Sequence, residues 1–121
     1  MPKKILVVDD NLTHLSLIQT LLQDRGYLVV TAADGEEAIE LAINQKPNLI
    51  ILDVKMPVME GDEAAMHLKS REETKDIPIV FVTGLRTEKE IREDKEENIF
   101  AKPVPLEPFL SKIKELIGEP V

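Results

Sequence analysis

The chain has 121 residues, with 23 acidic against 15 basic side chains for a net charge of −8, and no cysteine. A length of this order suits one domain built on a single hydrophobic core. Without cysteine there is no disulfide, thiolate metal site or thiol nucleophile, and a reducing compartment, the cytoplasm, is the expected address. The acidic balance repels nucleic-acid phosphates, so no direct nucleic-acid binding is expected. The start, Met1-Pro2-Lys3-Lys4 and then four apolar residues before Asp9, is too short for a signal peptide or a membrane span.

In chain order, Ile5-Leu6-Val7-Val8 reads as a strand buried on both faces. Asn11 to Arg25 follows as a helix, with Leu15, Ile18 and Leu22 at helical spacing, a cap at Asp10 or Asn11, and Gly26 as its left-handed stop. Tyr27-Leu28-Val29-Val30 is a second strand. Asp34-Gly35-Glu36-Glu37 opens a helix in which Asp34 caps the backbone and Glu37 reaches back, with Ala38, Leu41 and Ala42 on the apolar face. Leu49 to Leu52 is a third strand. The turn formers Met56 to Gly61 then lead into a helix from about Asp62 to Glu73. Pro78 marks the entry to a fourth strand ending near Val82. Thr87 to Glu97 is highly charged with Ile91 as its only aliphatic residue, so a helix there is short or mobile. Ile99-Phe100-Ala101 is a brief fifth strand, and Phe109, Ile113, Leu116 and Ile117 form the stripe of a last helix ended by Gly118. Five strands alternating with up to five helices imply an α/β fold, an open parallel sheet with helices on both faces.

In such sheets the ligand site lies beyond the C-terminal ends of the strands. The first strand ends in Asp9-Asp10, the third in Asp53 and the fourth in Thr83-Gly84, and the fifth is followed by Lys102-Pro103. Three carboxylates about 5 Å apart repel by roughly 3 kcal/mol per pair at an effective dielectric near 20, so a cation must neutralise them. Mg2+ suits oxygen ligands and keeps several waters, with Asp10 and Asp53 as ligands and Asp9 holding a coordinated water. An aspartate between a metal and the Lys102 ammonium is arranged to attack and hold a phosphoryl group. Asp53 is then the nucleophile and Thr83 a hydroxyl donor. Each residue alone has a plainer reading: a helix cap, a strand end, a surface lysine. His14 and His67 stand alone on helices and read as solvent-facing.

These residues closely resemble the response regulator receiver family of two-component signalling, and in particular its single-domain, chemotaxis-type members. The resemblance rests on the acidic pair after the first strand, Asp-x-x-Met-Pro-x-Met-x-Gly from Asp53 to Gly61, Thr83-Gly84, and Lys102-Pro103. It implies a flavodoxin-like three-layer sandwich of strand order 2-1-3-4-5, with residues 1–121 as one receiver domain. It also implies Mg2+ on Asp9, Asp10, Asp53 and the Lys55 backbone carbonyl, and phosphotransfer to Asp53 from a sensor histidine kinase or phosphotransfer protein. The Lys102-Pro103 peptide is expected to be cis. The chain would then control a downstream protein as a monomer or weak dimer, catalysing only its own phosphorylation and dephosphorylation.

Two departures stand out. The interval from Thr83 to Lys102 is a few residues shorter than in the family. Ile99 also stands where the family commonly has an aromatic switch residue, with Phe100 pointing to the opposite face. A binding module that signals without phosphate is therefore the second reading. A magnesium phosphatase is a third, disfavoured because Lys55 stands where a second aspartate is needed. Flavin binding lacks a phosphate loop. Gly118-Glu119-Pro120-Val121 could begin a linker.

Overall fold

Short β-branched runs that can be covered on both sides belong in the middle of a sheet, and the chain places them there. A computed structural model describes residues 2–54, 61–84, 99–102 and 104–121. Its strands are β1 (Lys4–Val8), β2 (Leu28–Ala32), β3 (Leu49–Asp53), β4 (Ile79–Thr83) and β5 (Ile99–Ala101). They form one sheet of order β2-β1-β3-β4-β5. Every pairing is parallel, with Val8 beside Leu52 and Asp53 beside Val82. Every residue of β3 is buried, and the strands flanking it carry the next most buried runs.

The described helices are α1 (Leu12–Asp24), α2 (Gly35–Gln45), α3 (Gly61–Lys69) and α4 (Leu106–Ile117). Alternation along each strand divides the core in two. Ile5, Val7, Leu49, Ile51, Val80 and Val82 pack under Leu15, Ile18 and Leu22 of α1 and Phe109 and Ile113 of α4. Leu6, Val8, Ile50, Leu52 and Ile79 pack under Ala38 and Ala42 of α2 and Ala64 and Leu68 of α3. Helices thus cover both faces of the parallel sheet, and the expected three-layer sandwich of order 2-1-3-4-5 is the architecture found. The charged stretch Thr87 to Glu97, residues Met56 to Glu60, the Lys55 carbonyl and Pro103 lie outside the described residues.

Element boundaries follow local chemistry. Asn11 caps α1 by accepting from the His14 N–H at 3.1 Å, and Gly26 carries the left-handed backbone that turns the chain into β2 (φ 97°). Asp34 caps α2 through the Glu37 N–H at 2.8 Å. Glu37 reaches back to the N–H of Ala33, one residue before the cap. α3 stops at Lys69, four residues short of the expected end at Glu73. The reason is hydroxyl chemistry: Ser70 Oγ donates to His67 O at 2.8 Å and buried Thr74 Oγ1 to Leu68 O at 2.6 Å. These side chains satisfy last-turn carbonyls that a continuing helix would have used. Residues 118–121 fold back on the body, where Lys3 N–H donates to Pro120 O at 2.6 Å and the Tyr27 hydroxyl to Gly118 O at 3.0 Å.

Candidate functional site at the strand ends

β1 and β3 lie side by side, so the residues that end them emerge together at the C-terminal rim. Asp9 follows Val8, and its N–H is tied to Ala32 O at 3.1 Å. Asp53 closes β3 and Thr83 closes β4 one residue beyond Val82, the partner of Asp53. Lys102 N–H donates to Thr83 O at 2.8 Å, which fixes the base of the lysine at the same rim. Asp9, Asp53 and Thr83 are almost wholly buried, whereas Asp10 is exposed.

Gly61 explains how the turn after Asp53 closes. Its N–H donates to Val54 O at 2.7 Å, and a Cβ there would sit 2.2 Å from the Asp53 carbonyl oxygen. Only glycine permits that approach, so the last residue of the Asp53-to-Gly61 motif has a steric reason.

The five residues singled out from the sequence, Asp9, Asp10, Asp53, Thr83 and Lys102, therefore share one rim. Oxygens of Asp9, Asp10 and Asp53 all lie within 4.8 Å of one another. Lys102 Nζ is 2.9 Å from Asp9 Oδ2 and 3.3 Å from Asp53 Oδ2, so one ammonium bridges two buried carboxylates. The Lys55 carbonyl and the Lys102-Pro103 peptide, also expected here, fall outside the described residues.

The two buried aspartates are electrostatically unlike. Burial alone would raise Asp9, but hydrogen bonds from His14, Lys102 and the Asn11 N–H outweigh it and hold the carboxyl at about 2. Asp53 is pushed up to about 6 by burial and by the negative charge of Asp9, against the pull of Lys102. Lys102 is raised: burial works against its charge, but its contacts with Asp9 and Asp53 prevail. Three carboxylates facing a single ammonium leave an excess of two negative charges among the described residues. That is the charge of one divalent cation, and an all-oxygen donor set with no thiolate suits a hard one.

His14 departs from its sequence reading. Its Nδ1 is 2.5 Å from Asp9 Oδ2, and the side chain is only 16% exposed. His67 is exposed, as expected. Side chains in a first helical turn lean back toward the N-terminus. A histidine three residues after the Asn11 cap therefore points at the end of β1. That spacing was the available signal, and it becomes visible only once the cap is fixed.

The sequence pattern described as the response regulator receiver domain matches residues 5–114. Among curated relatives, the polar-differentiation response regulator DivK of Brucella anthropi is 32% identical over 122 residues, covering 98% of this chain and 99% of DivK. The chemotaxis protein CheY4 of Vibrio cholerae superposes with a TM-score of 0.81 at 33% identity, over 96% of this chain and 99% of that one. The receiver domain of the sensor histidine kinase PA1611 of Pseudomonas aeruginosa, solved with a magnesium ion coordinated in its active-site cleft, gives a TM-score of 0.83 at 27% identity. That match covers 98% of this chain and all of the other.

Proposed function

Given that the chain belongs to the response regulator receiver domain family, we propose that it is a phosphorylation switch in which Asp53 accepts a phosphoryl group and Asp9, Asp10 and Asp53 bind Mg2+. Receiver domains act as phosphoacceptors and catalyse only their own phosphorylation and dephosphorylation. The observation that carries the residue assignment is the single ammonium, Lys102 Nζ, poised between Asp9 and Asp53 at 2.9 and 3.3 Å. The magnesium-bound cleft of the PA1611 receiver supports the choice of cation, and the Lys55 carbonyl is offered as a further ligand. Mg2+ would supply positive charge to the phosphoryl oxygens and neutralise the excess carboxylates.

The residues themselves divide the rest of the work. An ionised Asp53 oxygen attacks phosphorus and forms the new P–O bond. The bond to the donor breaks, and the leaving group, a histidine imidazole or a small carboxylate, departs with its electron pair. Lys102 lies within reach of the attacked group and stabilises the equatorial oxygens as charge redistributes. Thr83 donates its hydroxyl to the phosphoryl group once it is in place. Asp9, held ionised, keeps the ammonium charged. The donor is a sensor histidine kinase or phosphotransfer protein in the cytoplasm, and the output is control of a downstream protein by a single receiver unit, monomeric or weakly dimeric. Among the described residues no helix is long and apolar enough to cross a membrane.

Incubation with Mg2+ and acetyl phosphate tests this. The intact mass should increase by one phosphoryl group, and chelation of the metal or D53N should abolish the increase. An adduct that persists in D53N would overturn the assignment of Asp53.

A further inference from the structure

Asp9 Oδ2 receives two donors at once, His14 Nδ1 at 2.5 Å and Lys102 Nζ at 2.9 Å, while Oδ1 accepts from the Asn11 N–H at 2.9 Å. An imidazole nitrogen that faces a carboxylate carries the proton, whether the ring is neutral or charged. His14 is therefore a donor at Nδ1, and its role does not depend on its titration. Two donors on one oxygen each withdraw charge from it, so each weakens the hold of the other. Lys102 stands nearer to Asp9 than to Asp53, by 2.9 against 3.3 Å. The ammonium needed at Asp53 is thus detained by its neighbour, and His14 is the side chain placed to loosen that detention.

We propose that His14 is a positioning residue of the phosphoryl-transfer site: by occupying Asp9 Oδ2 it orients that carboxylate and frees Lys102 to serve Asp53. This rests on the phosphoacceptor reading above. When a phosphoryl group arrives and Lys102 turns toward it, His14 stays on Asp9, so the buried carboxylate is not stripped of side-chain partners as the lysine leaves. An unpartnered buried carboxylate would oppose that movement. Without His14, Lys102 becomes the only described side-chain donor left to Oδ2, and both the cation and the phosphoryl group must compete with a tighter Asp9–Lys102 pair.

The test compares the parent protein with H14A and H14N, the latter because an asparagine amide nitrogen stands where Nδ1 does. Loss of a partner that orients a metal-site ligand typically weakens metal binding or activity by about tenfold or more. H14A should therefore bind Mg2+ about tenfold more weakly by calorimetry, and should take phosphate from acetyl phosphate more slowly at saturating Mg2+ by a similar factor. H14N should recover most of both, with all three proteins folded at the assay temperature. A 15N–1H correlation spectrum of the free parent should find the His14 proton on Nδ1. A ring protonated only at Nε2 would overturn the proposal. So would an H14A protein with parental Mg2+ affinity and rate, or a loss that H14N does not recover. Failure of the parent itself to form any adduct would instead overturn the phosphoacceptor reading.

Discussion

Asp53 and Asp9 are both buried carboxylates at neighbouring strand ends, yet their protons are held in opposite senses. Asp9 falls from 3.8 to about 2 and Asp53 rises to about 6. A lowered acid stabilises the fold above its unfolded pKa, and Asp9 loses that contribution as the pH drops from 3.8 toward 2. A raised acid does the reverse: ionising Asp53 in the fold costs stability as the pH climbs from 3.8 through 6. D53N imitates the protonated form. In the presence of a chelator it should raise the melting temperature at pH 8, by a stabilisation of about 1–2 kcal/mol, and the gain should shrink to nothing near pH 4. Equal melting curves at pH 8 would show that Asp53 carries no such penalty. The rim aspartates, Thr83 and Lys102 were legible in the sequence because each ends an apolar run or directly follows one. His14 was not, because its contact with Asp9 depends on where Asn11 starts the helix.

At the scale of elements, periodicity located α1, α2 and α4 through Leu15, Ile18, Leu22, Ala38, Ala42, Phe109 and Ile113, all of which are buried. It failed at the end of α3. Arg71-Glu72-Glu73 looks as helical as what precedes it, and two hydroxyls rather than any apolar pattern decide the stop. Thr74→Val should test this by leaving the Leu68 carbonyl with only the long 3.5 Å bond from the Arg71 N–H, at a cost of about 1 kcal/mol in denaturant unfolding. The fifth strand matched in extent. Phe100 packs edge-on against Phe109, with ring centroids 5.6 Å apart and planes at 86°, on the face covered by α1 and α4. Its neighbour Ile99 pairs with Phe81 and so shares the face of that residue. Ile99 is half-buried, and the usual aromatic relay has no counterpart at this position of β5.

For the molecule as a whole, alternating strands and helices implied a covered parallel sheet. The order of the strands could not be read from periodicity, because burial of both faces constrains every central strand alike. It came from the resemblance of the rim motifs to a known family, and the sheet has that order. The net charge is −8, and two of the three rim carboxylates, Asp9 and Asp53, are buried, where salt screens them weakly. A divalent cation bound there should stabilise the fold by about 2.7 kcal/mol at a hundred times its dissociation constant. Thermal unfolding with and without Mg2+ should show this shift, and D10N should reduce it. A parent melting temperature indifferent to Mg2+ would show that the rim binds no such cation.

Chemical trapping locates the phosphoryl group on its acceptor side chain. After incubation with Mg2+ and acetyl phosphate, borohydride reduces an acyl phosphate to the corresponding alcohol, and peptide mass spectrometry locates the reduced residue. Homoserine is expected at position 53 and nowhere else. Reduction at Asp9 or Asp10 instead, or an adduct that borohydride leaves unchanged, would contradict the assignment to Asp53.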